Sequence, residues 1–298
     1  MAAMPVTLIT GSSTGIGRAT ALELARRGHR VYATMRNLNG SAALRAAAEQ
    51  EGLQVHVQQL DVTDTASVHS AIAAVVDAAG RIDNLISNAG FHAGNAFEET
   101  DLATFYSLME TNYFGGIRCM QAVLPHFRQQ RAGCIVGVTS QSGRITQPTC
   151  SGYCASKFAM ETALETLAIE VAQFGIRVAI VEPGLTFTAA QSKGRPWPSN
   201  TPYADTYRRT GAVFAAEAAE GSSSELVAEA IAAALADPRP RLRYLVGADA
   251  QRNVAGRARV SDEQWVALHG LQRSEDFFTR WVDIFGVDPA PRDGRRGV

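Results

Sequence analysis

Cysteine, net charge and long apolar runs are all scarce in this chain of 298 residues. Its four cysteines (Cys119, Cys134, Cys150 and Cys154) form no Cys-x-x-Cys pair and no ligand spacing with the six scattered histidines, so neither a disulfide framework nor a bound metal is expected. Twenty-eight basic against 29 acidic side chains leave a formal charge of −1, which offers no field to attract nucleic acid or an anionic membrane. No apolar stretch approaches the length of a membrane span. The opening MAAMPVTLIT lacks a charged segment followed by an apolar signal core. Together these absences lead us to expect a cytoplasmic protein with free thiols. No internal repeat, linker or change of composition argues for a second domain, so residues 1–298 are expected to form one.

A hydrophobic content of 46% is enough for a sizeable core, and it is distributed in a regular way. Short apolar, β-branched runs at residues 6–10, 30–35, 53–60, 82–87, 134–140, 176–182 and 242–246 read as strands. Helical patterns at residues 18–27, 41–51, 65–79, 102–130, 151–170 and 224–235 lie between them. Strand and helix alternating from end to end predict an α/β fold: a doubly wound (Rossmann) parallel sheet covered by helices on both faces.

The first strand runs straight into Thr10-Gly11-Ser12-Ser13-Thr14-Gly15-Ile16-Gly17, and a helix follows. Glycines let backbone approach a pyrophosphate, and free N–H groups at a helix start attract its charge. The spacing is Gly-x-x-x-Gly-x-Gly, not the general dinucleotide fingerprint, and a plain strand-to-helix turn would read the same way. The second strand ends at Met35, where an acid would bind a ribose 2′-hydroxyl, and Arg36 follows it. A guanidinium there suits a 2′-phosphate, which favours NADP(H) and leaves NAD(H) as the alternative. Asp61, just past the third strand, could accept from an adenine amino group, while Asp64 or Thr65 fits the cap of the next helix better.

Residues 151–170 read as one long helix, with Ser151 as N-cap and an apolar face through Phe158, Ala159, Leu164, Leu167 and Ala168. Tyr153 and Lys157, four apart, share one face of it. An ammonium beside a phenol lowers the phenol's pKa and makes it a usable proton donor. The same spacing also suits a solvated face. Thirteen residues ahead of Tyr153, Ser140 closes the fifth strand and would point into a ligand crevice. Asn112 stands among apolar residues of the preceding helical region.

In this order the motifs resemble those of the short-chain dehydrogenase/reductase family, over about residues 4–247. Thr10-Gly11-x-x-x-Gly15-x-Gly17 resembles its cofactor turn, and Asn88-Ala89-Gly90 its strand-four motif, with Ser87 in place of a more usual Asn. Asn112, Ser140, Tyr153 and Lys157 match its catalytic tetrad. Pro183-Gly184 with Thr186 and Thr188 resembles the segment that seats the nicotinamide carboxamide. The runs VYATMRN and YCASKFAMETALETLAIEVAQFGIRV are most similar to the 17β-hydroxysteroid and retinol dehydrogenase-like group.

The resemblance implies coenzyme contacts from Gly11, Ser13, Gly15, Ile16, Gly17, Arg36, Asp61, Val62, Asn88, Ala89, Gly90, Tyr153, Lys157, Pro183, Gly184, Thr186 and Thr188. It implies a proton passed through Tyr153, a phenol made acidic by Lys157, a substrate oxygen held by Ser140 and a water held by Asn112. It also implies a homodimer or homotetramer, paired through two long helices around residues 103–130 and 152–174. The expected substrate is a small carbonyl or alcohol compound, apolar and steroid- or retinoid-like. A 3-oxoacyl thioester or small-ketone reductase, or a regulator that senses the nucleotide without turnover, are the alternatives.

Residues 189–224 lack regular pattern and are a candidate flap over the substrate, with Phe187, Trp197, Tyr203 and Phe214 as apolar lining; a loop packed back on the core is the competing reading. Phe91, His92, Gln147 and Pro148 are further candidates for pocket wall, His92 being the one that solvent would most simply explain. Residues 248–298 exceed the minimal fold, with helical patterns beginning at Ser261 and Phe277, and the last ten residues, PAPRDGRRGV, read as a disordered tail.

Overall fold

The computed structural model describes residues 4–186 and 198–290. Phe187, Thr188, the expected flap residues through Trp197 and the chain after residue 290 lie outside the described residues.

Seven strands form one parallel sheet in the order β3-β2-β1-β4-β5-β6-β7. They are β1 (Val6–Ile9), β2 (Arg30–Met35), β3 (Val55–Gln59), β4 (Asn84–Ser87), β5 (Gly133–Val138), β6 (Ile176–Pro183) and β7 (Arg243–Val246). The near-continuous burial of β1, β2, β4, β5 and β6 is what a sheet covered on both faces requires. One face packs on α3 (Thr65–Ala79), α5 (Gly115–Gln130) and α6 (Ser151–Val171), through Val68, Val123 and Leu164. The other packs on α1 (Gly15–Arg26), α2 (Ala42–Gln50) and α8 (Ser224–Ala236), through Leu24, Leu44 and Ile231. Strand order reverses between β1 and β4, so a crevice opens at their carboxyl ends.

Several helix boundaries differ from the pattern reading. The region read as one helix from 102 to 130 is α4 (Leu102–Met109) and α5 joined by a π-helical turn, Glu110–Phe114, which carries Asn112. Ser151 is the first residue of α6 and not its N-cap; Cys150 takes that place without a side-chain cap bond. Phe158 faces outward, because Met160, Glu161 and Leu164 occupy the buried side of that helix. Asp64 caps α3 by accepting the N–H of Ala66 at 2.9 Å.

Within the irregular stretch stands α7 (Ala204–Ala218). Tyr207, fully buried, anchors it: its hydroxyl accepts the Ala96 N–H at 2.7 Å and donates to Glu99 at 2.6 Å. Beyond β7 come α9 (Ala248–Arg257), α10 (Asp262–His269) and α11 (Ser274–Phe285). With α7 they enclose a third apolar cluster, built on Val213, Trp265, Phe277, Trp281 and Phe285. Among the described residues no helix is long and apolar enough to cross a membrane.

Candidate active site

The glycine turn after β1 is built for close approach. Gly11 and Gly15 have φ of +71° and +55°, and a Cβ on Gly17 would overlap the Gly11 carbonyl and lie 2.6 Å from Asn88 Nδ2. Asn88 locks the turn to the end of β4: its Nδ2 donates to Thr10 O at 2.9 Å and Gly11 O at 3.1 Å. The backbone N–H groups of Asn88 and Ala89 both donate to Thr10 Oγ1 at 3.0 Å. Helix α1 starts at Gly15, and its N-cap, Thr14, makes no side-chain cap bond. Such a helix start, approached by glycines, fits the pyrophosphate of a dinucleotide. Gly40 packs against Ser13, which brings the turn after Arg36 beside the phosphate cradle.

Arg36 is exposed at the end of β2 and makes no ion pair among the described residues. Asp61 uses Oδ1 to accept from the N–H and Oγ1 of Thr63, at 3.0 and 2.7 Å, so its carboxylate is first a turn former. Val62 is buried against Gly115, and its carbonyl accepts from Arg118 at 3.3 Å.

At the carboxyl ends of β4, β5 and β6 the remaining residues converge. Lys157 is buried, and its Nζ donates to Val138 O at 3.1 Å and lies 5.6 Å from the centre of the Tyr153 ring. Gly90 packs against both Lys157 Nζ and Asn112 Oδ1. Asn112 holds the chain after Gly90: Oδ1 accepts Phe91 N–H at 2.9 Å, and Nδ2 donates to Phe91 O and Ser156 Oγ, each at 3.0 Å. Both amide hydrogens are thereby used, so only an Oδ1 lone pair is left for the expected water. Ser140 Oγ accepts the Ser142 N–H at 3.1 Å and donates to Pro183 O at 3.4 Å. Thr186 is buried beside them, with its Oγ1 donating to Gly184 O at 3.2 Å.

The electrostatics depart from expectation. Burial pushes the Tyr153 phenol up to about 12, against the lowering effect of a hydrogen bond to Ser140. Burial also pushes the Lys157 ammonium down to about 8, with the charge of Glu161 opposing it. Lys157 is therefore not the dominant influence on the phenol: desolvation acts on both groups and outweighs their proximity.

Some neighbours carry signals that the sequence reading did not use. Glu161, one turn after Lys157, accepts from Thr139 Oγ1 at 2.6 Å and Arg243 Nε at 3.0 Å. Glu182, pushed up by burial and then by Glu161, meets Arg144 at 3.1 Å and Arg243 at 3.3 Å. An acid on a helix's inward face and an acid closing an apolar strand were the visible hints. His92, a candidate for pocket wall that solvent would also explain, is exposed yet meets Tyr153 in a T-shaped ring contact, with centroids 4.9 Å apart and planes at 67°, and its Nε2 is 3.4 Å from Cys150 Sγ. Gln147 and Pro148 line a small cavity of about 40 Å³ together with Ile145, Val213, Trp265 and Phe277.

A family model described as short chain dehydrogenase matches residues 5–199. The chain belongs to the short-chain dehydrogenase family. This dehydrogenase is 35% identical over 245 residues to the 3-ketodihydrosphingosine reductase of Bacteroides thetaiotaomicron, covering 81% of this chain and 87% of that one. It is 34% identical over 253 residues to estradiol 17-beta-dehydrogenase 1 of Rattus norvegicus, covering 80% and 72% of the two chains. The structure of a short-chain dehydrogenase from Streptomyces avermitilis superposes with a TM-score of 0.77 at 32% identity, over 92% of this chain and 98% of that one. The dehydrogenase is thus an oxidoreductase that acts on CH–OH groups with a nicotinamide coenzyme.

Proposed function

We propose that this dehydrogenase interconverts a carbonyl and a secondary or primary alcohol on an apolar, steroid- or retinoid-like substrate, with NADP(H) as its preferred coenzyme. The observation that carries the reading is the convergence of Ser140, Tyr153, Lys157 and Asn112 at the sheet's carboxyl edge, beside the glycine turn. When bound there, the nicotinamide supplies or accepts a hydride at the carbonyl carbon. Tyr153 gives its phenolic proton to the developing alkoxide in reduction and takes it back in oxidation. Ser140 donates a hydrogen bond to the same oxygen as charge forms on it. Lys157 holds the nicotinamide ribose, and Asn112 fixes the backbone at Phe91 that borders both groups. The expected coenzyme contacts keep their assignment, from Gly11, Ser13, Gly15, Ile16 and Gly17 through Arg36, Asp61, Val62, Asn88, Ala89 and Gly90 to Pro183, Gly184 and Thr186.

Preference for NADP(H) is supported by Arg36, an exposed guanidinium without an ion partner among the described residues, directly after Met35, which stands where an acid would otherwise meet the ribose. An apolar substrate is supported by relatives named for estradiol and 3-ketodihydrosphingosine, and by the aromatic side, Trp265, Phe277 and Trp281, of the cavity near Gln147 and Pro148, which Arg209 and Glu217 also line. The test is a panel of ketosteroids, retinal, long-chain ketones, 3-oxoacyl thioesters and small polar ketones, each with NADPH and with NADH, followed by nicotinamide absorbance. We expect turnover of the apolar carbonyl compounds with NADPH. Turnover confined to thioesters or small ketones would refute the apolar assignment, and none with any compound would point to a nucleotide-sensing regulator. Arg36→Ala should raise KM for NADPH much more than KM for NADH; equal changes would sink the 2′-phosphate assignment.

A further inference from the structure

Helix α9 lies beyond the minimal sheet unit, yet it reaches both loops that border the reacting centre. Asp249 and Asn253 are four apart on it, stacked on one face a turn from each other. Both are enclosed, with exposures of 0% and 2%. Asp249 Oδ2 accepts the N–H of Leu185 at 2.6 Å. The carboxylate is wedged between two glycines: a Cβ on Gly184 would overlap it, as would one on Gly247, where φ is +101°. Asn253 Nδ2 donates to Gln141 Oε1 at 3.0 Å and to Glu217 Oε1 at 2.7 Å. Leu185 lies in the segment after β6, and Gln141 directly follows Ser140. Between residues 140–143 and 183–186 runs a direct 3.4 Å hydrogen bond from Ser140 Oγ to Pro183 O, with the Arg144–Glu182 ion pair at 3.1 Å beside it.

Burying an acid and an amide against apolar helices is unfavourable unless each finds a partner, and an apolar pair would pack there as well. Burial pushes the Asp249 carboxyl up and raises that of Glu217, the partner of Asn253, to about 7, so both acids are held at a cost. Such groups are informative because of what they hold in place.

We propose that Asp249 and Asn253 are positioning residues through which α9 fixes the two loops at the nicotinamide end of the site, Asp249 setting residues 183–186 and Asn253 setting the turn that carries Ser140. This rests on the coenzyme reading above. Asp249 acts on the nicotinamide half alone, because the adenosine half is held by the glycine turn and Arg36.

The experiment measures dissociation constants of NADPH and of 2′-phospho-ADP-ribose, which lacks nicotinamide, on the full chain. In Asp249→Ala, NADPH should bind about tenfold more weakly while the fragment is unaffected, as loss of a charge-assisted hydrogen bond implies. Asp249→Asn, which keeps an acceptor oxygen, should recover most of the affinity. Equal weakening of both ligands, or unchanged NADPH binding, overturns the proposal. If the alanine variant does not fold, Asn253→Ala decides the matter through the other loop. It should keep NADPH affinity and lower kcat about tenfold; an unchanged kcat overturns the clamp. Should the native chain bind neither ligand, the coenzyme reading falls first and takes this inference with it.

Discussion

Tyr153 and Lys157 illustrate how burial sets the chemistry of single side chains. A phenol held near 12 keeps its proton at neutral pH, which suits a group that must deliver it only when an alkoxide forms. Tyr153→Phe should therefore lower turnover by roughly 10²–10⁴-fold with coenzyme affinity retained, as steady-state rates and binding would show; undiminished turnover refutes the proton role. Lys157 makes the converse point. Its folded pKa, about 8, lies below the ordinary 10.5, so between these values the unfolded chain binds more protons and stability rises with pH. Below pH 8 the full burden of the buried ammonium applies, roughly 3 kcal/mol. Lys157→Met should thus match or exceed the native protein in thermal stability at pH 7, although inactive. That advantage should shrink as pH rises from 8 past 10.5. A variant markedly less stable at pH 7 would contradict the burial argument. The spacing of the two residues was legible in the chain; the direction of their shifts was not, because desolvation depends on what packs around them.

At the scale of elements, the turn from β1 into α1 is the most constrained piece of the site. Gly17 has no room for a methyl group between the Gly11 carbonyl and Asn88. Gly17→Ala should cost roughly 1–3 kcal/mol by overpacking and weaken coenzyme binding, read from melting curves with and without NADPH; unchanged binding would show that the cradle is elsewhere. All seven strands were readable because each is a short run with apolar residues at successive or alternate positions, and β1, β2, β4, β5 and β6 are buried along almost their whole length. The helices were readable less evenly. The π-helical turn at Glu110–Phe114 carries no sequence mark, since it arises where one extra residue is accommodated between two packed helices. Helices α7 and α9 escaped notice for a related reason: their polar positions, such as Arg209, Glu217, Asp249 and Asn253, are buried, so the usual apolar stripe is broken.

Over the whole molecule, an apolar surface remains on α4 and α6. Leu102 and Tyr106 of α4 and Phe158 and Ile169 of α6 are exposed, Tyr106 by 65% and Ile169 by 76%. Exposed apolar groups shared by neighbouring helices are what an association face presents. We expect a homodimer paired through these helices, and Ile169→Glu should yield monomer in light scattering; a monomeric native protein would sink the assignment. The sequence by itself determined the architecture and the order of the motifs, because period-two and period-3.6 patterning and glycine spacing act locally along the chain. Only the tertiary structure decided that desolvation, not the neighbouring amine, governs Tyr153. Only the fold, likewise, brought α9 from beyond the last strand onto the loops after β5 and β6. Both depend on atoms distant in sequence being packed together, and no local pattern records that.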